Sequence, residues 1–498
     1  MAILSKRKLK VLFATSEAAP FAKSGGLGDV GGSLPSALSR GGCDISVIMP
    51  KYGSIPEKYK SQMRRIAQFY VPLAWRNVWC GIEKLTLDGV DYYFVDNEDY
   101  FKRDNYYGYF DDGERFAFFS KAITEAMGNV DELMCDVLHC NDWQTALAPV
   151  FLREFYQGLE GYEAVKTVFT VHNVKFQGQY SDFVLDDILG MASIPAARDQ
   201  LTCAPKTINY MKGALCYSDI ITTVSPTYAQ ELKMAYYGEG LQSEFQRRSQ
   251  DLYGVLNGID IKEFDPSQDK TIEATYSASN LKNKALCKQA LQEELGLRCD
   301  PERPLVAMVG RLTKQKGMDL VQYAMDTIMS RGVQVVLLGT GDKEYEDSMK
   351  YFDWKYQDMM RAVIAFDTKL AKRIYAGSDI FLMPSQFEPC GLSQMMAMRY
   401  GSLPLVRETG GLVDTVVPYN KYTGEGTGFR FANFNADEMC QVLLDACELF
   451  WTDKKIWKKL QVQAMNKDFS WSGAADDYID LYHKLRNDIP RYYKRRDK

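Results

Sequence analysis

One local pattern recurs so often along this chain that few folds accommodate it: a short apolar run, a polar or glycine-rich turn, then a stretch with helical spacing. The apolar runs lie at residues 10–16, 44–49, 137–140, 167–171, 219–224 and 252–256, and again at 305–309, 333–338, 379–383 and 403–406. Runs this short and this uniformly apolar suit strands covered on both faces, and strands alternating with helices build a parallel, doubly wound sheet. A charged segment, residues 259–304, with a Lys-rich helical pattern at 282–295, separates the two sets. The chain therefore reads as α/β, with a first Rossmann-like domain over residues 1–257, a second over 258–465, and a closing segment over 466–498. That last segment opens with an amphipathic helix, residues 472–485, whose Ala475, Tyr478, Ile479, Tyr482 and Leu485 share one face, and ends in a basic, solvated tail from Pro490. Two stretches read less simply. A helix after residue 26 is expected to kink at Pro35 and end at Gly41 and Gly42, while residues 52–93 hold alternating apolar segments without a clear order.

Charge and cysteine usage narrow the function classes. A formal net charge of −5 over 498 residues argues against nucleic acid or an acidic membrane as partner. No apolar run approaches membrane-spanning length, and the basic start at residues 1–10 leads straight into a strand pattern rather than a secretory segment. Eleven scattered cysteines without a C-x-x-C pair suit a reducing cytoplasm. With only three histidines, His139, His172 and His483, a multi-histidine metal site is not expected, and Cys135, His139 and Cys140 read as the end of an apolar strand rather than as metal ligands.

Chemistry concentrates in the turns that follow strands, where open α/β sheets bind their ligands. K-S-G-G-L-G-D-V at 23–30 brings Gly25, Gly26 and Gly28 to a helix start, where backbone approaches a phosphate closely; Lys23 adds a point charge and Asp29 favours the helix dipole. Asn141 to Gln144 follow one strand, and His172, Asn173, Gln177 and Gly178 another. Tyr106, Tyr107, Tyr109 and Phe110 form an aromatic loop that reads as packing ahead of sugar stacking. The densest stretch is residues 384–412. There Glu388, in F-E-P-C-G-L, stands between two turns suited to phosphate, one at Cys390, Gly391 and Leu392 and one at Thr409, Gly410 and Gly411. The helical pattern after Leu392 offers free N–H groups to an anion, while the carboxylate is suited to sugar hydroxyls.

Taken in order, K-S-G-G-L-G-D-V, H-C-N-D-W-Q, T-V-H-N, G-R-L-T-K-Q-K-G, F-E-P-C-G-L and T-G-G-L resemble the bacterial glycogen synthases and plant starch synthases over nearly the whole chain. The resemblance implies a GT-B glycosyltransferase, two doubly wound domains facing across a cleft with the C-terminal helix returning to the first. It implies transfer of glucose from ADP-glucose to the non-reducing end of an α-1,4-glucan, with retention and with no metal or other cofactor. Carried over residue by residue, Lys23 with Gly25, Gly26 and Asp29 meets the diphosphate and glucosyl unit, and Arg311 and Lys316 neutralise the leaving diphosphate. Asp142 and His172 lie around the transferred glucose, Asn257 is a further sugar contact and Glu388 is the essential carboxylate. Cys390, Gly391 and Leu392 line the glucosyl and phosphate side, Thr409, Gly410 and Gly411 the diphosphate, and Phe366 stands where the family places an adenine-packing tyrosine. Met396, eight positions after Glu388, replaces the second glutamate of many related GT-B enzymes, which favours this family over its sucrose-synthase-like relatives.

Two other readings stay open: a retaining GT-B transferase with a different donor or acceptor, and an inert glucan-binding homologue. The second would predict decay of the charged positions, yet Lys23, Arg311, Lys316 and Glu388 are all present. A dinucleotide oxidoreductase is disfavoured because neither domain carries G-x-G-x-x-G with its downstream acid.

Overall fold

The apolar runs of the first half become β1 (Lys10–Ala14), β2 (Asp44–Pro50), β3 (Arg64–Leu73), β4 (Arg76–Leu87), β5 (Val90–Asp96), β6 (Val137–Asn141) and β7 (Lys166–Val171). Three short strands, β8 (Gln179–Ser181), β9 (Thr202–Ala204) and β10 (Thr207–Asn209), form a small antiparallel sheet of their own, and β11 (Ile220–Thr223) and β12 (Leu252–Gly254) complete the main one. These come from a computed structural model, which describes residues 7–488; the basic tail from Pro490 lies outside them.

The main sheet has the order β12-β11-β7-β6-β1-β2-β5-β4-β3. Its strands are parallel except where β4 runs antiparallel to both β5 and β3. That edge is the stretch without clear order in the sequence: β3 alternates exposed and covered positions because one face meets water, so its signal differs from the fully buried strands beside it. The helix Gly26–Arg40 runs without a break through Pro35 and ends at Gly41.

The second half builds β13 (Leu305–Val309), β14 (Gln334–Leu338), β15 (Met360–Val363), β16 (Ile380–Met383), β17 (Leu403–Arg407) and β18 (Phe429–Phe431). They form an all-parallel sheet ordered β15-β14-β13-β16-β17-β18. The chain divides into two units. One runs to Gly258 and takes the chain up again from Trp471; the other is Ile259–Ser470. In each sheet the winding reverses once, between β1 and β6 in the first and between β13 and β16 in the second. At such a switch point the connections leave in opposite directions and a crevice opens at the carboxyl ends of the strands.

The closing helix, Trp471–Leu485, packs on the helix Gly26–Arg40 of the first unit. A polar pin runs from it into the core. His139, fully buried on β6, places Nδ1 2.7 Å from the Tyr482 hydroxyl and Nε2 2.6 Å from the Thr170 hydroxyl. Phe13 and Tyr478 lie against its ring. Burial lowers the His139 pKa to about 3, so the ring is neutral, with one nitrogen donating and the other accepting.

This pin has measurable consequences. Tyr482→Phe leaves a ring nitrogen unpaired in the core and is expected to cost about 1–3 kcal/mol of stability, read as a lower melting temperature by calorimetry. Because His139 has a depressed pKa in the folded state, its contribution is fully present above the unfolded value, near 6.5, and is lost as pH falls toward about 3. The melting temperature of the wild type should therefore fall more steeply across that window than that of His139→Asn. Parallel slopes would contradict a buried neutral His139.

Candidate active site

In the first unit the carboxyl end of β1 delivers Thr15, Ser16 and Glu17, all buried. The Glu17 carboxylate is ringed by donors: the Ser24 N–H, the Ser24 hydroxyl at 2.7 Å and the Tyr107 hydroxyl at 2.7 Å. The Tyr107 oxygen also lies 2.8 Å from Ser16 Oγ. The loop at residues 18–25 is thus folded around a carboxylate, which sets Lys23, Gly25 and Gly26 at the start of the helix Gly26–Arg40. No side chain caps that start. The Lys23 ammonium sits 2.6 Å from Asp29 in the first turn, and with the two side chains 48% and 30% exposed the pair is worth only about 0–1 kcal/mol. Lys23 is therefore free to exchange Asp29 for a more highly charged anion.

Across the switch point, Asp142 follows β6 with φ 56° and ψ 178°, a conformation that costs a non-glycine residue about 1–3 kcal/mol. The bend aims its carboxylate at β7, where Oδ1 accepts the His172 N–H at 2.8 Å. Burial pushes the Asp142 pKa up to about 7; N–H groups of His172 and Asn173 oppose the shift and the charge of Glu17 adds to it. The His172 ring has Nε2 2.9 Å from Asn141 Oδ1, and the Asn141 amide donates to Ala14 O at 3.0 Å, which fixes which end of that amide faces the ring. Nε2 therefore carries the proton and Nδ1 is an acceptor. Burial lowers the His172 pKa to about 3, so the ring stays neutral. Asn257 is buried three residues beyond β12 in the same unit.

In the second unit Arg311 follows β13 and is exposed, with no ion pair among the described residues. A single turn, Lys314–Lys316, leads to Gly317, whose φ of 77° and closeness to β16 both demand glycine, since a Cβ there would lie 2.2 Å from Pro384 O. That approach lets Gln315 O accept the Gln386 N–H at 2.8 Å, so the two strand-end loops are joined. Lys316 Nζ comes to 2.5 Å from Glu388 Oε2, which also accepts the Ser385 hydroxyl at 3.0 Å. Arg407, buried at the end of β17, donates to Ser385 O at 2.8 Å and to Gln386 O, holding the 385–388 loop from behind.

Around this pair, Cys390 is buried and Gly391 is left-handed, and Leu392 opens the helix Ser393–Arg399 with no side-chain cap. The turn at Thr409 differs from its reading as an open phosphate cradle. Gly410 has φ 44°, and a Cβ on it would lie 2.0 Å from Glu388 O. The Gly411 N–H bonds to Glu388 O at 3.2 Å and Pro389 O at 3.1 Å. These glycines let the turn pack against the 388–390 backbone, and the Gly411 amide is directed there. Phe366 lies between β15 and the helix Thr368–Gly377 with 86% of its surface exposed, an open ring beside the carboxyl edge.

Within the first unit the structure thus pairs Lys23 with Asp29 and Asp142 with His172; within the second it pairs Lys316 with Glu388 and seats both against the Gly317 and Gly410 turns. Glu17, Ser385 and Arg407 were not singled out from sequence, and Asn141 was read only as one of the polar residues after its strand. The only signal for Glu17 was a carboxylate directly after a buried strand; Arg407 is hidden at the end of an apolar run. Among the described residues no three His, Cys, Asp or Glu side chains are grouped to hold a metal, and both nitrogens of His139 are already engaged. The second unit offers cations, a carboxylate, an uncapped helix start and an exposed aromatic ring, groups suited to an anion carrying a flat ring. The first unit offers a carboxylate, a neutral imidazole and an amide, groups suited to hydroxyls.

Known proteins match this chain over nearly its whole length. Residues 10–247 match the family described as starch synthase catalytic domain, and residues 293–451 match glycosyl transferases group 1. A glycogen synthase of Clostridium novyi is 49% identical, with 96% of this chain and 99% of that one covered. One of Anoxybacillus flavithermus is 46% identical, with 96% and 98% covered. Among solved structures, the catalytic domain of starch synthase IV from Arabidopsis thaliana, bound to ADP and acarbose, superposes with a TM-score of 0.87 at 33% identity, covering 97% of this chain and 100% of that one. A sucrose-phosphate synthase from Thermosynechococcus elongatus, at 18% identity and a TM-score of 0.59, shares the fold.

Two substitutions test the local geometry. Gly317→Ala combines a left-handed φ with a backbone clash and is expected to destabilise the second unit by about 2 kcal/mol or more, with activity falling further than stability because Lys316 is displaced; unchanged kinetics would contradict the placement. Asp142→Asn keeps the acceptor for the His172 N–H. The raised pKa means the folded Asp142 holds its proton between about 4 and 7 while the unfolded one does not, so stability is lost as pH rises through that window. Asp142→Asn should accordingly melt higher than the wild type at pH 8, while losing activity.

Proposed function

The chain belongs to the glycogen and starch synthases, glycosyltransferases with the GT-B fold, and on that premise we propose that it transfers glucose from ADP-glucose to the non-reducing end of an α-1,4-glucan with retention at the anomeric carbon. The observation that carries this reading is the Lys316–Glu388 pair beside Arg311 at the switch point of the second sheet. A diphosphate placed there draws Lys316 away from Glu388, because two phosphates offer an ammonium more charge than one carboxylate does. Arg311, which has no ion pair among the described residues, adds a planar fork of donors. Together they neutralise the leaving ADP, the task a divalent cation performs in other transferases, and for this reason the proposed reaction needs no metal. Phe366 is the platform for the adenine, and the relative from Arabidopsis, solved with ADP and acarbose, supports both ligand classes.

Release of Lys316 leaves the Glu388 carboxylate to hold glucose hydroxyls while positive charge develops at the anomeric carbon. The 4-hydroxyl of the glucan attacks on the face from which ADP departs, and the departing phosphate oxygen takes its proton. No covalent glucosyl-enzyme is needed: a double-displacement glycosidase requires a carboxylate nucleophile and an acid, whereas a neutralised diphosphate leaves without protonation. In the first unit, Asp142 and the acceptor Nδ1 of His172 are suited to accept hydrogen bonds from sugar hydroxyls, Asn257 adds an amide, and Lys23 is placed to exchange Asp29 for a phosphate anion. Lys23, Gly25, Gly26, Cys390, Gly391, Leu392, Thr409 and Gly410 complete the proposed substrate contacts. The eleven free thiols support the cytoplasm as its location. Among the described residues, no helix is long and apolar enough to cross a membrane.

Incorporation of labelled glucose into glycogen tests the reading. ADP-glucose should be used well in excess of UDP-glucose, activity should survive a chelator, and the new linkage should be α. Preference for another sugar nucleotide, or loss of turnover in chelator, would overturn it. Glu388→Ala should lower kcat by about 10²–10³ or more, the range for removing a group aimed at transition-state charge.

A further inference from the structure

The hairpin between β3 and β4 carries Trp75, whose surface is 75% exposed although its orientation is fully determined. The indole N–H donates to Asp187 Oδ1 at 2.9 Å. The Arg76 guanidinium lies over the ring, 4.3 Å from its centroid, and is itself tied to Asp187 Oδ2 at 2.7 Å and to Glu114 at 3.4 Å. One face of the ring is thus backed by a fixed cation and the other is open. On the helix Phe183–Asp187, Phe183 stands one turn before Asp187 on the same face and is 67% exposed. Two open aromatic rings therefore flank one carboxylate, and each oxygen of that carboxylate keeps a second lone pair for an incoming hydroxyl.

We propose that Trp75, Asp187 and Phe183 form a glucan-binding platform that holds the polymer away from the point of transfer; this rests on the function proposed above. Topology supports a polymeric ligand. β3 runs antiparallel to β4, which runs antiparallel to β5, and β5 is parallel to β1 by way of β2. The carboxyl end of β3, where Trp75 lies, is consequently on the same edge of the sheet as Glu17 and Asp142, about 19 Å along it from the first and about 24 Å from the second at the usual spacing of strands. A glucan chain lying along that edge reaches both places; a single sugar does not. The mixture of stacking faces with charged hydrogen-bonding groups matches the ring faces and equatorial hydroxyls of glucose better than it matches an apolar protein surface. A ring held rigid before binding also loses little entropy when the ligand arrives.

Affinity electrophoresis through gels containing glycogen, together with steady-state kinetics on glycogen and on maltotriose, tests the platform. Trp75→Ala should reduce retardation by glycogen and raise its apparent KM about five- to tenfold, while kcat and the KM for maltotriose stay unchanged. Trp75→Phe, which keeps a stacking face, should restore most of the retardation. Unchanged retardation by Trp75→Ala, an equal loss on maltotriose, or a shift of oligomeric state in gel filtration would each overturn the proposal, the last by making the ring a contact between copies of the chain. If the wild type binds glycogen through Trp75 but transfers no glucose, the function proposed above fails and the platform stands. If it transfers glucose and the variant binds glycogen as the wild type does, only the platform fails.

Discussion

An ammonium held 2.5 Å from a carboxylate that is only 8% exposed is an interaction the protein must build deliberately. Taking the carboxylate out of water is costly, and because the Lys316 side chain stays 24% exposed the pair recovers that cost only if further donors and the loops around it are fixed. In the second unit that requirement accounts for much of the local sequence. Gly317 permits the approach of one loop to the other, Ser385 gives Glu388 a second donor, Arg407 anchors the loop carbonyls, and Gly410 lets the Thr409 turn pack against Glu388. The same pair sits at the reversal of winding between β13 and β16, where the parallel sheet leaves room for a ligand. An ion pair kept ready in this way orients a carboxylate and stores a cation until an anionic ligand takes the cation over.

The first unit breaks local rules at the corresponding place. Asp142 holds a backbone conformation suited to glycine, its carboxyl titrates near neutrality, and Glu17 is a buried carboxylate whose partners are hydroxyl and amide donors. His139, on the strand leading to Asp142, is by contrast held without backbone strain between Tyr482 and Thr170. A strained backbone, a carboxyl with a raised pKa and a second, buried carboxylate meet at one sheet edge, at the switch point where the fold opens a crevice, and that conjunction marks the edge as functional.

Much of the fold was legible because buried parallel strands announce themselves as short uniform apolar runs. The runs at 305–309, 379–383 and 403–406 match β13, β16 and β17 to within one residue at an end. The antiparallel edge β3–β5 was not legible in the same way, since a face open to water replaces uniform runs with alternation, and residues 52–93 contain both. Glu388 stood out because glycine-rich turns flank it, and Lys316 and Arg311 because they sit in G-R-L-T-K-Q-K-G, one of the motifs that carry the resemblance. Glu17 and Arg407 did not, because their roles depend on which loop folds back over them: Ser24 and Tyr107 over one, Ser385 and Gln386 over the other. The Thr409 turn shows the limit from the other side. Its glycines suggested a ligand cradle, yet the Gly411 amide faces the protein's own backbone, and only the packing of residues 388–390 reveals that.

Isothermal titration of ADP in the presence of a chelator, with wild type, Lys316→Ala and Glu388→Gln, examines the exchange of Lys316 between carboxylate and diphosphate most directly. Because Glu388 serves the sugar and holds Lys316 ready without touching ADP, Glu388→Gln frees Lys316 and should bind ADP as tightly as the wild type or more tightly, while Lys316→Ala weakens binding by about tenfold or more. Equal loss of ADP binding in both variants, or no binding without added divalent metal, would contradict the account.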